Sequence, residues 1–494
     1  MRNRERSSWP AGLRSPVTHV PSNPILLLAA LLLFSLFSCN RDPWEEHMDD
    51  AVQAYQEGRI QDAQRSFQTA LRDAEAFDAK DERIVTTLNN LGNVLVVQGR
   101  IHDAVPLFER AARVTEAIDA TANLTLATQL GNLAEAYRLQ GQYAKAVSTY
   151  ERTLEMAEAL LGPSHHDIAK LLNNMALAKQ GQGHYEEARQ LYEKAIPIYE
   201  NDPDAFALEL AAALNNQGEL LRLLGRLEAA ETTHQRALGI RKTINPRQPD
   251  VGHSLNNLAT VYYAQGRYAE ALELYEQALN LFKAVVGENH PIIATTLNNL
   301  GEVHRQQGDL QRAEPLYRQA LSMKEQLLGP NHGDVAYIVN NLGTLYYTQG
   351  RYDRAEPQFQ RSLAISEELL GPTHPFVALN LNNLGELYRL KGEYDKALPP
   401  LERALKIARA NAGRHHPTQA VTLNNLALIH QAKGELELAD RFYTEALEIF
   451  AETLGAEHPD VAQTLENYGR LLEQMGQGEA AEAIFERARK IRGQ

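Results

Sequence analysis

Apolar residues return along this chain with the period of a helix, and then with a second, longer period. Leu255, Leu258, Ala259 and Tyr262 stand at i, i+3, i+4 and i+7, one face of a first helix. Gly266 interrupts the stripe and supplies a turn. Ala271, Leu274, Tyr275 and Ala278 repeat the stripe on a second helix. Small Ala259 and Ala271 let the two backbones approach, and the Tyr275 ring fills the space beside them. Second helices end at glycines such as Gly329 and Gly371, which suits a left-handed cap. Proline enters the second helix only near its start, at Pro106, Pro315, Pro357 and Pro399, where a missing N–H is tolerated.

The same unit is written eleven times. Ten Gly or Ala positions, running from Gly92 and Ala134 to Ala427 and Gly469, follow one another at steps of 42 residues with one step of 41. A glycine stands seven residues after each, from Gly99 to Gly476, and an alanine five residues further, from Ala104 to Ala481. A ring usually follows four beyond, as at Phe108, Tyr150, Tyr192, Tyr317 and Phe359. The eleventh copy precedes these, with Ala51, Gly58, Ala63, Phe67 and Ala70 at the matching offsets. One such hairpin cannot bury its apolar face alone, whereas stacked copies can.

The recurring Leu-Asn-Asn-Leu-Gly/Ala, the Gly-Arg/Glu/Asp-Tyr/Leu turn and the Leu-Gly-x-x-His-Pro connection resemble the tetratricopeptide repeat. The form is the 42-residue one of kinesin light chains and many bacterial proteins, and the resemblance covers residues 44–492. It implies an all-α fold, a right-handed α-solenoid superhelix of about eleven helix-turn-helix units. In that family the first helices line a concave groove and bind extended peptides. Such a fold is much less specific for function than for architecture.

The helical wheel says what faces that groove. Measured from Leu255 at about 100° per residue, Asn256 falls near 100°, Asn257 near 200°, Thr260 near 140° and Tyr263 near 80°, all away from the hairpin core. The doubled asparagine recurs in most copies, from Asn89/Asn90 onward, and its later second members are Asn174, Asn216, Asn257, Asn299, Asn341, Asn383 and Asn425. An amide carries both donor and acceptor, which suits a peptide backbone of any sequence. The alternative is that one asparagine of each pair bridges neighbouring repeats. Further along the same helices Glu135/Arg138, Glu219/Arg222, Glu302/Arg305 and Glu386/Arg389 alternate with Thr260/Tyr263 and Thr344/Tyr347. Either these are intrahelical ion pairs, or Arg222, Arg305 and Arg389 interleave with Tyr263 and Tyr347 as a row that takes carboxylates of an acidic peptide.

The amino terminus departs from the repeat. Arg2, Arg4, Arg6 and Arg14 precede an apolar run from Ile25 to Phe37, too short to span a ~30 Å hydrocarbon core as a helix. This is the pattern of a secretory signal. Its end, Ser35-Leu36-Phe37-Ser38-Cys39, resembles the lipobox of bacterial lipoproteins, with Phe37 bulkier than usual. The expectation is a signal at 1–38 cleaved before a lipidated Cys39, a short tether at 39–43, and anchorage in the cell envelope on the periplasmic face. Asn40, where an aspartate would resemble an inner-membrane retention signal, points to the outer membrane. The alternatives are a non-cleaved anchor, an incidental buried cysteine, and a cytoplasmic protein.

Composition narrows the classes. The chain has 494 residues and a net charge of −14, which disfavours nucleic acid as a partner. Removing residues 1–38 takes four arginines and one glutamate and leaves −17. Cys39 is the single cysteine, so an internal disulfide, a Cys-rich zinc site and thiol catalysis elsewhere are excluded. No phosphate-binding loop, His-Glu-x-x-His, dinucleotide fingerprint or Gly-x-Ser-x-Gly elbow occurs, so no enzyme, cofactor or metal is expected. His165, His290, His332, His374, His416 and His458 come once per repeat and cannot converge on an ion, so they read as junction packing. The segment Lys242–Gly252 loses one residue and the Gly-x-x-His, and a local change in superhelix geometry is expected there. The reading is a membrane-tethered adaptor for a peptide or protein partner. The competing one is a scaffold that self-associates, with Arg487, Arg489, Lys490 and Arg492 at an uncapped end.

Overall fold

A computed structural model describes residues 42–493 apart from 120, 122, 412–416 and 454. Cys39, the export segment and His416 lie outside the described residues. Those residues hold twenty-two α-helices and no strand. None of these helices is long and apolar enough to cross a membrane. They form two compact units, 42–265 and 266–493.

In unit 42–265 the hairpins are α1 (Pro43–Gln56) with α2 (Ile60–Ala74), α3 (Glu82–Val97) with α4 (Ile101–Ile118), and α5 (Leu124–Leu139) with α6 (Tyr143–Leu161). Then come α7 (His166–Gly181) with α8 (Tyr185–Glu200), α9 (Ala207–Leu223) with α10 (Leu227–Ile244), and α11 (Pro249–Ala264). Unit 266–493 opens on α12 (Tyr268–Val286). It continues with α13 (Pro291–Gln306) and α14 (Leu310–Leu328), α15 (Gly333–Thr348) and α16 (Tyr352–Leu370), and α17 (Pro375–Leu390) and α18 (Tyr394–Asn411). The last are α19 (Pro417–Ala432) with α20 (Leu436–Thr453), and α21 (Pro459–Gln474) with α22 (Gly478–Ile491). Each hairpin packs on itself, and its second helix packs on the first helix of the next. This is the stacked all-α solenoid architecture that the repeat implies.

Close approach explains the small residues. A Cβ added at Gly92 would stand 2.7 Å from the Phe108 ring, and one at Gly343 2.8 Å from Phe359. The alanines of the second helices are fully buried beside those rings, as at Ala104 and Ala355. Each such ring stabilises its hairpin by roughly 2–3 kcal/mol through burial.

The turn glycines carry the left-handed cap. Gly99 has φ +75°, its N–H reaches the Val96 carbonyl, and the Arg100 N–H closes on Leu95 at 2.8 Å. That is the six-to-one bond of a Schellman motif. The glycines ending second helices differ from the expectation. Gly329 has φ 90° and ψ 158°, a positive-φ extended conformation that is essentially restricted to glycine. It keeps one helical bond to Glu325 and then sends the chain out of the helix. Gly329→Ala is therefore expected to lower stability by about 1–3 kcal/mol, although nothing lies within 4 Å of the added methyl. Urea unfolding checks this; a neutral substitution would show that the backbone relaxes freely there.

The prolines correct a second expectation. Pro106, Pro315, Pro357 and Pro399 stand at the sixth residue of their helices, past the N–H groups that a helix start leaves free. Each removes an intrahelical bond and the helix runs on. Pro197 lies three residues before the end of α8, so proline is not confined to helix starts.

The junction histidines are helix N-caps. Nδ1 of His165, His290, His332, His374 and His458 accepts the backbone N–H two residues on, at 3.1–3.3 Å. They satisfy one of the free donors at the start of the helix, the usual office of Ser or Asp. Between α10 and α11 the junction is rebuilt without either device. Asn245 ends α10 in an extended conformation, its side chain accepts from the Arg247 N–H, and Gln248 caps α11 without a side-chain bond.

Candidate ligand face on the first helices

First helices are buried on two sides, because within each unit they touch one another as well as their own second helix. The contacts α7–α9, α9–α11, α13–α15, α15–α17, α17–α19 and α19–α21 are all present. The wheel angles of Asn256 and Tyr263 pointed away from the hairpin core, yet both residues are buried. Their face is the seam between repeats rather than open groove.

Asparagines stitch that seam. Asn132 Nδ2 donates to Asn89 Oδ1 at 2.6 Å, and Asn216 donates to Asn173 at 3.0 Å. In the other unit Asn341 donates to Asn298, Asn383 to Asn340, Asn425 to Asn382 and Asn467 to Asn424, at 2.8–3.1 Å. The bridging alternative is the one these bonds show, and Asn299, Asn383 and Asn425 are buried. The expectation that the whole ladder faces a peptide is corrected accordingly. A partner 43 residues away lies one repeat and one residue along, which a single-helix wheel cannot display.

The ladder is interrupted twice in unit 42–265. Gly131 stands where the acceptor for Asn174 belongs. At the second break Asn215 Oδ1 meets His234 Nδ1 at 2.9 Å and its Nδ2 donates to Ser254 at 2.9 Å. Asn257, which would bond to Asn215 by the rule of the ladder, is partly exposed and has no hydrogen-bond partner among the described residues.

The arginine row is also corrected. Arg138, Arg222, Arg305 and Arg389 each grip the glutamate one turn back through Nε and Nη2, at 2.5–2.9 Å. Their side chains are only 10–21% exposed. The glutamates are held from a second side: Tyr150 donates to Glu135, Tyr317 to Glu302 and Tyr347 to Glu386. Burial works against the charge of Arg138 and Arg389, but the hydrogen bonds and charge of Glu135 and Glu386 outweigh it and raise both pKa values. Tyr263 and Tyr347 are buried rather than lining a groove. So Arg222, Arg305 and Arg389, with Tyr347 on Glu386, form interior clamps, the ion-pair alternative, because a carboxylate with two or three partners can be stacked inside a seam.

Two features escaped the sequence reading. Lys170 on α7 is partly buried and has no ion pair or hydrogen bond among the described residues. His234 is fully buried at the position other repeats give to a ring, with Nε2 unpaired, and Arg241 is buried nearby, bonded to Ser254 Oγ and the Asp250 carbonyl. The signal was available as departures from the period, His for an aromatic and Arg where other copies carry Ala157, Phe282 or Phe450.

For metals, donors of His165, His166 and Asp167 lie within 4.8 Å of one another. His165 Nδ1 is already an acceptor for the Asp167 N–H, and a helix N-terminus repels a cation. These residues fit a cap better than an ion.

The sequence profile described as "Tetratricopeptide repeat" matches residues 124–201, 209–284, 250–326, 292–368, 334–410 and 418–494, and a second profile of the same description matches 84–118. The chain belongs to the tetratricopeptide repeat family. Among solved structures, this repeat array is similar to BtubC (BKLC) from P. vanneervenii, at 28% identity over 48% of this chain and 93% of that one, with a TM-score of 0.38. A putative kinesin light chain from Podosopora anserina, with nearly identical TPR-like repeats, is 24% identical over 42% of this chain and 97% of its own, with a TM-score of 0.36. A Rap protein complexed with competence and sporulation factor is 17% identical over 84% of this chain and 98% of its own, with a TM-score of 0.50, a likeness of fold. No curated protein matches. As a tetratricopeptide array the chain is a protein–protein interaction scaffold.

Proposed function

We propose that this tetratricopeptide protein is a membrane-tethered adaptor that holds peptide segments or partner proteins on the first-helix face of its repeats. The observation that carries the reading is the pair of interruptions in the asparagine ladder. Where the ladder is complete, the amides serve the seam. At Asn174 the amide turns instead to Asn173 and Tyr150, and Asn257 leaves donors and an acceptor for a peptide backbone. A photo-crosslinking residue at position 257 is expected to capture a partner that one at position 232, on the outer helix α10, does not. Capture from position 232 alone would put the partner on the outer helices and sink the reading.

The tether rests on the basic start, the apolar run and Cys39. Labelling with a fatty-acid analogue is expected to tag the wild type and to be lost in Cys39→Ala. An untagged wild type in the cytosolic fraction would leave a cytosolic adaptor as the account. Self-association is the competing use of the array, and it predicts capture of a second copy of this chain from position 257.

A further inference from the structure

Two seam positions change character at the first and last hairpins. The residue twenty places after the small residue of each first helix is Leu, Ile or Ala along the array, as at Leu71, Ala112, Ile196 and Leu321. In the last copy it is Arg489. The residue just before the small one is Leu, Met or Tyr in every other copy apart from Gln217, but in the first copy it is Asp50. These two positions meet where one repeat packs on the next. Leu321 of α14 packs on the apolar cluster that holds Tyr317 and Leu342 of α15. Arg489 and Asp50 are both exposed, and they put opposite charges at the two halves of such a seam.

Two further positions agree in sign. A cation stands twenty-three places after the small residue at Arg241, Lys324 and Arg492. Lys324 Nζ bonds Asp334 Oδ2 at 2.6 Å, and Arg241 Nη1 donates to the Asp250 carbonyl at 3.0 Å. Each of these two internal cations thus meets the aspartate in the first turn of the next first helix. The residue that matches Asp250 and Asp334 in the first copy is Asp42, which caps α1. Likewise Glu314 bonds Arg351 of the next hairpin turn at 3.2 Å. Their counterparts are Glu482 on α22 and Arg59 in the α1–α2 turn.

We propose that α22 of one copy receives α1 and the α1–α2 turn of a second copy of this chain, in the geometry of an internal seam. Arg489 then faces Asp50, Arg492 faces Asp42 and Glu482 faces Arg59. The contact also covers Phe485, which is partly exposed although the same position is at most 3% exposed in every earlier copy. The residues mark these faces, not their place in the chain. Solubility asks only that an outer face be polar. It does not ask that three positions on one face carry the sign opposite to their counterparts on the other. The present partners of these groups are largely surface ones: Arg489 holds Glu482, Arg492 holds Glu466, and Arg59 holds Glu57 and Asp62. Such pairs exchange at little cost. Asp42 is held by Arg83 as well, and a carboxylate has acceptor sites for a second cation. Charge in place of leucine makes this seam a reversible one. Because the two faces differ, the contact is heterologous and leaves one end of each kind free for further copies. The inference goes beyond the adaptor reading, since position 257 on α11 belongs to neither face.

Sedimentation velocity on the full chain in a non-ionic detergent tests this. At physiological ionic strength the screening length of ~8 Å mutes the repulsion between two acidic chains but not pairs in contact. The wild type is expected to sediment faster as its concentration rises, through species larger than a dimer. Arg489→Asp and Asp50→Arg are each expected to weaken association at least about tenfold, because each sets like charges against one another. An equimolar mixture of the two variants is expected to regain association. The reversed α22 of the first then meets the reversed α1 of the second, and their unaltered faces meet as in the wild type. Recovery in the mixture also shows that both variants are folded. A wild type that stays monomeric at every concentration would overturn the proposal. So would association that neither reversal weakens, or a mixture that associates no better than its components. Crosslinking from position 257 reports on the adaptor reading whichever way this falls.

Discussion

Glu302→Ala is expected to lower the local stability of the α13–α14 hairpin by about 3–5 kcal/mol, the cost of stranding a buried charge. Glu302 is 5% exposed. Its carboxylate accepts from Arg305 Nε and Nη2, from Gln306 Nε2 at 3.2 Å and from the Tyr317 hydroxyl at 2.6 Å. Removing it leaves a guanidinium and a phenol in the interior with their strongest acceptor gone. Replacing both ends, as in Glu302→Leu with Arg305→Leu, is expected to cost less than the single change, because no charge is then left alone. An outer-face pair supplies the control. Arg152 and Glu116 lie 2.6 Å apart between α6 and α4 with half-exposed side chains, and Glu116→Ala is expected to cost no more than about 1 kcal/mol. Hydrogen exchange across residues 291–328 and 101–161 reads the two. Equal effects would mean that the interior clamp is as solvated as the outer pair.

The contrast shows what the sequence displays and what it hides. Hairpins, turns and the small residues at the ring contacts are legible because they repeat at 42 residues and each belongs to one helix or one hairpin. Gly343 facing Phe359 needs only the period and a wheel. The seam is less legible, because its partners sit one repeat away on a helix whose wheel reports only its own hairpin. Tyr263 at 80° looks like groove and is buried. Glu302 and Arg305 look like a surface pair because i, i+3 pairs on exposed helices look the same on paper. Exposure decides between them, and exposure is a property of the stack. The asparagines were legible in number and misleading in direction. Lys170 was invisible for another reason: a lysine on a helix is unremarked until its neighbours prove to be otherwise engaged.

Acidification is expected to loosen the α9–α10–α11 region before the rest of unit 42–265, and His234 is the cause. The ring is fully buried against Gly218, where even a Cβ would stand 2.7 Å from Nε2. Nδ1 meets Asn215, and Nε2 has no partner to receive a proton's charge. Burial lowers the pKa to about 4; the Glu219 charge opposes this, and Arg222 and Arg241 add to it. Asp250 on α11 faces Arg241 from the third helix of the cluster. Between about pH 6.5 and pH 4 the unfolded chain therefore holds a proton that the folded one refuses, so stability falls as pH falls through that window. A shift of that size corresponds to about 3 kcal/mol at its full extent. His234→Phe, the residue that other repeats place there, is expected to flatten the acid limb for residues 207–264. The same substitution removes the His234 contact to Asn215 Oδ1, which then becomes available to Asn257 as in the rungs of the other unit. Hydrogen exchange at pH 7 and pH 4.5 measures the first effect. An unchanged acid limb in His234→Phe would show that His234 is not the source of the sensitivity, and the ladder's second interruption would then be a matter of packing alone.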